Sequence, residues 1–213
     1  MVLQHLRSGK KIPKNLELER LIWQSGLSRI AGVDEAGCGP LAGPVVAAAV
    51  IFPPYAHIAE VKDSKKLTAK KREELYSLIA DSAISFGIGI VPPEEIDRIN
   101  IRQATFKAMR KAIGNLKTQP DYVLFDGYEL PEKLLSQEAV INGDDHSFTI
   151  AAASILAKVS RDRLMLDWHD KYPIYGFNRH KGYGTEYHRT MLEKHGPCEI
   201  HRRSFLSKII PQF

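Results

Sequence analysis

Four acidic residues follow short apolar segments of the chain. Asp34 and Glu35 come after Ile-Ala-Gly-Val, Asp126 comes after Val-Leu-Phe, and Asp144 comes after Val-Ile-Asn-Gly. Functional sites in open α/β sheets form in the crevice at the strand ends. An aspartate at a strand end is also common because it favours turns, so no single one of these residues is diagnostic. Three sheet segments that end in acids, each close to a glycine, predict that the acids gather at one place.

Carboxylates gathered from separate strands repel one another unless a cation lies between them. Hard oxygen ligands of this kind favour Mg²⁺ or Mn²⁺ over zinc. Nucleases use such acids to hold two metal ions about 4 Å apart, one activating water and the other stabilising the leaving oxygen. The spacing alone leaves two interpretations open, a metal site and a set of ordinary turn residues.

Asp34 and Glu35 are adjacent, and this raises a geometric difficulty. Successive side chains of a strand point to opposite faces of the sheet. Both acids can therefore serve one site only if the strand ends or bulges there. The following Ala36 and Gly37 make such an end possible.

The acids must be positioned by the strands and helices around them. Apolar patterning predicts strands over 29–34, 44–52, 83–91, 122–125 and 139–141. It predicts helices over 16–24, 68–81, 100–113, 148–169 and 185–194. Asn100 is expected to cap the third of these helices. The order of the elements predicts an α/β domain with a mixed sheet, in which the first strands are antiparallel and the later ones parallel.

Composition narrows the class of protein. The chain has 213 residues, of which 44% are hydrophobic and 26% charged, as expected for one globular domain. A net charge of +5 permits binding to a polyanion without establishing it. The two cysteines, Cys38 and Cys198, form no CxxC pair. We therefore expect no disulfide framework, and we expect a reducing, cytoplasmic compartment. The most apolar stretch, 40–54, is too short to span a bilayer.

Longer motifs surround the acids. They are IAGVDEAGCGPLAGPV at 30–45, DSKKL at 63–67, NI at 100–101, FDG at 125–127, GD at 143–144, IAAASILAKVSRD at 150–162, HKGYGT at 180–185 and HGP at 195–197. In this order, and over about residues 30–205, they resemble the bacterial ribonuclease HII family.

The resemblance implies an RNase H-like fold, with a mixed five-stranded sheet flanked by helices and a C-terminal helical extension. We expect a lead-in over 1–28, a catalytic domain over 29–172 and the extension over 173–213. The resemblance further implies an endonuclease that hydrolyses the RNA strand of RNA–DNA hybrids and cleaves 5′ to ribonucleotides embedded in duplex DNA. Two ions of Mn²⁺ or Mg²⁺ would serve the reaction, which leaves 3′-hydroxyl and 5′-phosphate ends. A monomer without membrane association is expected.

The resemblance also assigns roles to individual residues. The metal-binding acids of the family fall on Asp34, Glu35, Asp126 and Asp144. Asp144 is preferred to Asp145 because the family's Gly-Asp pair ends six residues before the Ile of IAAAS, which here is residue 150. The substrate-sensing tyrosine falls on Tyr183, and the other substrate contacts fall on Gly37, Cys38, Gly39, Ser64, Lys65, Ser154 and Lys158.

Two residues depart from the family's pattern. The family's usual Gly-Arg-Gly loop, whose backbone reads the ribose 2′-hydroxyl, has Cys38 at its centre, and Asn142 replaces the usual Lys before Gly-Asp. Neither change removes a metal ligand, so activity is expected and only substrate preference is put in doubt. Two alternatives remain, ribonuclease HIII and a non-catalytic binder of the same fold. The first is expected to have a larger N-terminal domain and a Glu as its fourth acid, and the second to lack one of the acids.

Five histidines lie between residues 169 and 201. No pair of them has the HExxH pattern of a helical zinc site. We therefore expect surface or capping roles for His169, His180, His188, His195 and His201.

Overall fold

The computed structural model describes residues 4–5, 12–62, 64, 67–132 and 135–207. The strands are β1 (Gln4–His5), β2 (Ile30–Ala36), β3 (Val45–Ile51), β4 (Ala56–His57), β5 (Ser85–Val91), β6 (Tyr122–Asp126) and β7 (Ser136–Val140). The helices are α1 (Glu17–Gln24), α2 (Ala69–Ser82), α3 (Pro93–Ile99), α4 (Ile101–Gly114), α5 (Gly143–His146), α6 (Phe148–Lys171), α7 (Phe177–His180), α8 (Glu186–His195) and α9 (Arg203–Leu206). Short 3-10 helices lie at Lys14–Leu16 and Pro173–Tyr175.

A mixed sheet of five strands forms the centre of the fold, in the order β5-β3-β2-β6-β7. β2 is antiparallel to β3, and β3 is antiparallel to β5. β6 is parallel to both β2 and β7. The predicted mixed five-stranded sheet is confirmed, as is its change from antiparallel to parallel pairing. Because β2 is the central strand, side chains at its end have other strands on both sides.

Helices α6 and α4 cover opposite faces of the sheet, and two glycines allow their close approach. A Cβ at Gly32 would overlap the backbone of Thr149 in α6, and one at Gly89 would overlap the carbonyl oxygen of Ala108 in α4. Alternate residues of β3 pack on the two sides, with Ala48 in the core beneath α6 and other β3 alanines in the core beneath α4. The tight packing fixes both helices against the central strand.

The boundaries of the elements agree with the prediction at Asn100 and differ from it at two other places. Asn100 Oδ1 accepts a hydrogen bond of 3.1 Å from Gln103 N, so the predicted cap is confirmed. The predicted strand over 139–141 has the wrong bounds, because β7 ends before the exposed Ile141 and the left-handed Asn142 (φ 53°). Helix α3 was not predicted, although Pro93 occupies its first turn, where proline favours a helix.

The C-terminal segment packs against α6 and the turn that follows β2. Leu41 N donates to Gly182 O at 2.9 Å, Gly43 N donates to Ile200 O at 2.9 Å, and Arg202 N donates to Leu41 O at 2.8 Å. Apolar side chains from both segments share one buried cluster with Met165 of α6. The extension is therefore part of the structure around the end of β2. Among the residues described, no helix is both long and apolar enough to cross a membrane.

Candidate active site

A cavity of about 260 Å³ lies at the end of β2. Apart from Asp144, every predicted site residue that the structure describes lines this cavity. Lys65 lies outside the described residues. The lining residues are Asp34, Glu35, Ala36, Gly37, Cys38, Gly39, Ser64, Asp126, Ser154, Lys158, Arg161 and Tyr183.

Asp34 is almost wholly buried in the middle of the sheet, with 5% of its surface exposed. Burial raises the pKa of Asp34 well above its usual range, and the negative charges of Glu35 and Asp126 raise it further. Hydrogen bonds act in the opposite direction, one from the Ser154 hydroxyl and one of 2.7 Å from Glu35 N to Asp34 Oδ1. The three carboxyl groups are thus close enough to repel one another, as expected of acids that share a cation.

Glu35 reaches the cavity from the other face of the sheet. The pairing with β3 is regular through Ala36, so β2 has no bulge at the two acids. The strand ends at Ala36 instead, and the cavity extends around this end. The Cys38 thiol lies 3.4 Å from Glu35 Oε1. Of the two expected routes to a shared site, a strand end and a bulge, the structure has the strand end.

Asp126 and Asp144 are connected through the backbone. Asp126 is the last residue of β6, and its Oδ1 accepts a hydrogen bond of 2.7 Å from Gly143 N. Asp144 is buried and lies in the short helix α5, so its predicted position at the tip of a sheet segment is wrong. The left-handed conformation at Asn142 turns the chain out of β7 and into α5. Asp144 therefore directly follows the residue that donates to Asp126, and it does not line the cavity.

Ser154 of α6 donates to Asp34, and Ser64 is hydrogen-bonded to Ser154 from a distant segment of the chain. Ser64 Oγ and Ser154 Oγ are 2.8 Å apart, and both residues are buried. Lys158 lies one turn further along α6, where its Nζ donates to Asp162 Oδ1 at 2.7 Å. The serine hydroxyls are thus held next to the acid, and Lys158 places a positive charge at the cavity wall.

The buried residue Arg202 holds the loop that follows β2. It donates hydrogen bonds of 2.6 Å to Gly37 O, 3.0 Å to Cys38 O and 2.9 Å to Gly43 O. Burial, together with the nearby charge of Arg161, lowers the pKa of Arg202 to about 9. The carbonyl oxygens supply the polar contacts that a buried guanidinium needs.

Arg161 of α6 holds the same loop from a second direction. Its guanidinium donates to Pro44 O at 2.9 Å, Lys181 O at 3.0 Å and Ala42 O at 3.1 Å. Gly37 has φ +99°, and a Cβ there would overlap the Arg161 side chain. Glycine at this position therefore meets two requirements, the left-handed backbone and the space for the arginine.

Sequence reasoning missed both arginines as parts of the site. Arg161 belongs to one of the quoted motifs, yet its type gave no reason to expect a buried residue, because arginine is mostly exposed. Arg202 lies in a segment with no clear pattern. The available signal was weak, since the many carbonyl groups of a glycine-rich turn need donors when they are buried.

Tyr183 stands at the rim of the cavity with 47% of its surface exposed. An added Cβ at Gly39 would lie 3.8 Å from Tyr183 Cε1, so the ring faces the glycine loop. The carbonyl oxygen of Tyr183 is 2.9 Å from His188 Nδ1. His188 thus holds the backbone of Tyr183 in place, while the ring of Tyr183 remains accessible to solvent.

The predicted surface or capping role is wrong for His188 and His201. Both are buried, and their Nε2 atoms are 3.0 Å apart. Burial lowers the pKa of His188 to about 4 and that of His201 to about 3. His180 stacks on His188 with ring centroids 4.5 Å apart. These rings form a neutral, packed cluster behind Tyr183.

Comparisons with known proteins identify the family. The model of the family "Ribonuclease HII" matches residues 31–208. The ribonuclease HII of Caldanaerobacter subterraneus subsp. tengcongensis is 52% identical over 204 residues, which cover 96% of this chain and 85% of that protein. The ribonuclease HII of Caldicellulosiruptor bescii is 54% identical over 194 residues, covering 91% and 94%.

Solved structures agree with this result. The ribonuclease H2 of Pyrococcus horikoshii OT3 superposes with a TM-score of 0.72 at 27% identity, covering 86% of this chain and 98% of that chain. The RNase HII in a PCNA complex from Archaeoglobus fulgidus gives a TM-score of 0.68 at 27% identity, covering 87% of this chain and 100% of that chain. The chain therefore belongs to the ribonuclease HII family of endoribonucleases.

Proposed function

We propose that the chain hydrolyses the RNA strand of RNA–DNA hybrids and cleaves 5′ to ribonucleotides embedded in duplex DNA, leaving 3′-hydroxyl and 5′-phosphate ends. The observation that carries the proposal is the placement of Asp34, Glu35 and Asp126 around one cavity beside the glycine loop. A cavity that combines acids with an accessible loop backbone suits a phosphodiester whose sugar must be recognised.

The chemistry of the same acids suits two divalent cations, Mn²⁺ or Mg²⁺. All the proposed ligands are carboxylates, which these hard ions prefer. The mutual repulsion at Asp34 is of the kind that a bound cation relieves. Within residues 12–62, 64, 67–132 and 135–207, no three His, Cys, Asp or Glu side chains are arranged as a metal-holding group. The proposal therefore includes a small adjustment of Asp144 and Glu35 when the ions bind.

Divalent ions in such a site activate water and stabilise the leaving oxygen. The chain's own contribution is to fix the acids. Ser154 donates to Asp34, and Gly143 N donates to Asp126, so two of the four acids have their orientation set before substrate binds. We propose Asp34, Glu35, Asp126 and Asp144 as the metal-binding and catalytic residues.

Recognition of the ribose is proposed to come from the loop backbone at Gly37, Cys38 and Gly39. In a trans peptide the N–H points away from the carbonyl. Arg202 binds the carbonyl oxygens of Gly37 and Cys38, so the N–H groups of Cys38 and Gly39 point away from Arg202. N–H groups presented in this way can donate to a 2′-hydroxyl, the group that distinguishes RNA from DNA.

The remaining contacts are proposed for the sides of the cavity. The exposed ring of Tyr183 can pack on a sugar or base at the rim. Lys158, together with Lys65, Ser64 and Ser154, would bind phosphate groups. We further propose that the chain acts as a monomer in the cytoplasm, with 1–28 as a lead-in, 29–172 as the catalytic domain and 173–213 as the extension.

One cleavage assay tests the proposal. Duplexes with one embedded ribonucleotide, with several, and with none are incubated with Mn²⁺, Mg²⁺ or EDTA, and the product ends are identified by mass spectrometry. We expect cuts on the 5′ side of the ribonucleotides, 5′-phosphate products and no cleavage of the all-DNA duplex. Cleavage that persists in EDTA, or that is equally fast on the all-DNA duplex, would contradict the proposal.

A further inference from the structure

A second cavity, of about 340 Å³, lies on the other side of Glu35. Glu35 and Cys38 line both this cavity and the one at the end of β2. The Cys38 Sγ is also 3.4 Å from Thr105 Oγ1 of α4, so the loop and the helix are in contact along the boundary. The two cavities are therefore neighbours, with Glu35 and Cys38 in the wall between them.

The outer wall of the second cavity carries an exposed aromatic ring. Tyr128 has 67% of its surface exposed, an unusual amount for a side chain of this size. It lies two residues after Asp126, and Tyr128 N donates to Asp126 O at 2.9 Å across the turn at Gly127 (φ +73°). The ring is thus fixed to the same strand end as a proposed metal ligand.

A guanidinium lies beside that ring. Arg102 Cζ is 5.8 Å from the centroid of the Tyr128 ring and 5.7 Å from that of Phe106. An accessible aromatic ring next to a cation can bind one unit of a nucleic-acid strand whose base stays paired, because a sugar packs on the ring and the cation neutralises a phosphate. An apolar ligand, in contrast, would not need the charge.

We propose that this second cavity is a nucleotide subsite, in which a sugar of the paired substrate next to the cleavage point packs on Tyr128 while Arg102 binds an adjoining phosphate. The subsite rests on the proposed function, since it extends the same substrate beyond the acids. Sugars and phosphates are common to every nucleotide, so the subsite strengthens binding without selecting a sequence.

Substitutions at Tyr128 and Arg102 test the subsite by separating KM from kcat. Tyr128→Leu removes the ring, and we expect KM to rise about tenfold, while Tyr128→Phe keeps the face of the ring and stays within about twofold of the parent. Arg102→Gln should raise KM and lower the slope of log Kd against log salt by about one. We expect kcat to stay within about twofold in all three, because none of the proposed metal ligands changes.

Two variants at the far end of the sheet serve as matched controls. Tyr55 is an exposed tyrosine that packs on Trp23, and Arg20 is paired with Glu17 on α1. Tyr55→Leu and Arg20→Gln should leave KM and the salt slope unchanged. Binding of a fluorescein-labelled RNA–DNA hybrid is measured in parallel by anisotropy in EDTA, which gives a readout that does not depend on cleavage.

The outcomes separate the subsite from the proposed function. If the parent cleaves hybrids and Tyr128→Leu binds and cleaves like Tyr128→Phe, the subsite is wrong and the proposed function stands. If the parent cleaves no duplex but hybrid binding still weakens only in Tyr128→Leu and Arg102→Gln, the proposed function is wrong and the nucleotide contact stands. Equal weakening in the two control variants would overturn the subsite, because the effect would then be general to the surface.

Discussion

Arg202 Nη2 donates a hydrogen bond of 2.6 Å to the carbonyl oxygen of Gly37, a residue 165 positions earlier in the chain. The bond connects the C-terminal extension to the loop proposed to read the ribose. Since the same guanidinium also binds Cys38 O and Gly43 O, one side chain fixes the direction of several peptide groups. The shape of the loop therefore depends on a residue outside the acid site.

Arg202→Gln should weaken both stability and catalysis. Buried carbonyl groups would lose their donors, and we expect the free energy of unfolding to fall by about 3 kcal/mol. Misplacement of the loop should lower kcat/KM on a hybrid by roughly 100-fold. Urea unfolding and steady-state kinetics measure the two effects. The exposed neighbour Arg203 provides the control as Arg203→Gln, and a folded Arg202→Gln protein with the parent's kcat/KM would contradict this role of the loop.

The proposed metal-binding acids can be tested with Asp145 as the control, because Asp145 is an aspartate next to Asp144 that is not proposed to bind metal. Asp34→Asn, Asp126→Asn and Asp144→Asn should each abolish cleavage while the fold survives, whereas Asp145→Asn should remain active. In EDTA the Asp126→Asn protein should unfold at a slightly higher temperature, because the Asp126 charge raises the pKa of buried Asp34 and its removal relieves repulsion. Calorimetry and a cleavage assay follow both effects. Full activity of Asp126→Asn would exclude the two-metal assignment.

Cys38 tests whether the loop acts through its backbone. Burial raises the pKa of Cys38 to about 12, so the thiol stays neutral at physiological pH. Cys38→Ala removes only a weak hydrogen-bonding group and should change kcat/KM by about threefold at most. Cys38→Arg introduces a charge beside Glu35 and should change the relative rate on one embedded ribonucleotide against a long hybrid, by an amount equivalent to about 1–3 kcal/mol. A Cys38→Ala protein without activity would show that the thiol itself is required.

The buried pair His188 and His201 should make stability depend on pH. Their pKa values, about 4 and about 3, lie below the ordinary value of 6.5. Between the lowered values and pH 6.5, the unfolded chain therefore binds more protons than the folded protein. The contribution of the two neutral histidines to the free energy of unfolding is therefore fully present above pH 6.5, and it is lost as the pH falls toward 4. Each histidine contributes about 1.4 kcal/mol per pH unit in that window. Urea unfolding from pH 5 to 8 should show a flatter profile for His201→Gln, and parallel profiles would argue against this titration.

The sheet, the cap at Asn100 and the buried helix α6 were predictable because they follow local rules. Asp34 comes at the end of an apolar run, Asn100 is a favourable cap, and the Ala-rich pattern of α6 is that of a buried helix. The change from antiparallel to parallel pairing followed from element order. In each case the information lies within a few residues or in the order of neighbouring segments.

Other features depend on contacts between distant parts of the chain. The burial of Arg161 and Arg202 depends on carbonyl groups more than a hundred positions away, and the packing of His188 on His201 depends on how the extension folds back. Asp144 was misplaced because a left-handed Asn142 starts a helical turn that apolar patterning does not detect. Spacing alone also could not show that a strand end lets Asp34 and Glu35 share one cavity.

The bond between Arg202 and Gly37 also has a consequence for synthesis of the protein. A ribosome makes Gly37 first and must add a further 165 residues before Arg202 exists. By then Asp34, Glu35, Asp126 and Asp144 have all been translated. A nascent chain thus carries every proposed metal-binding acid well before it can hold the loop proposed to recognise RNA. The loop proposed to select the substrate can therefore take its final shape only after Arg202 has been made.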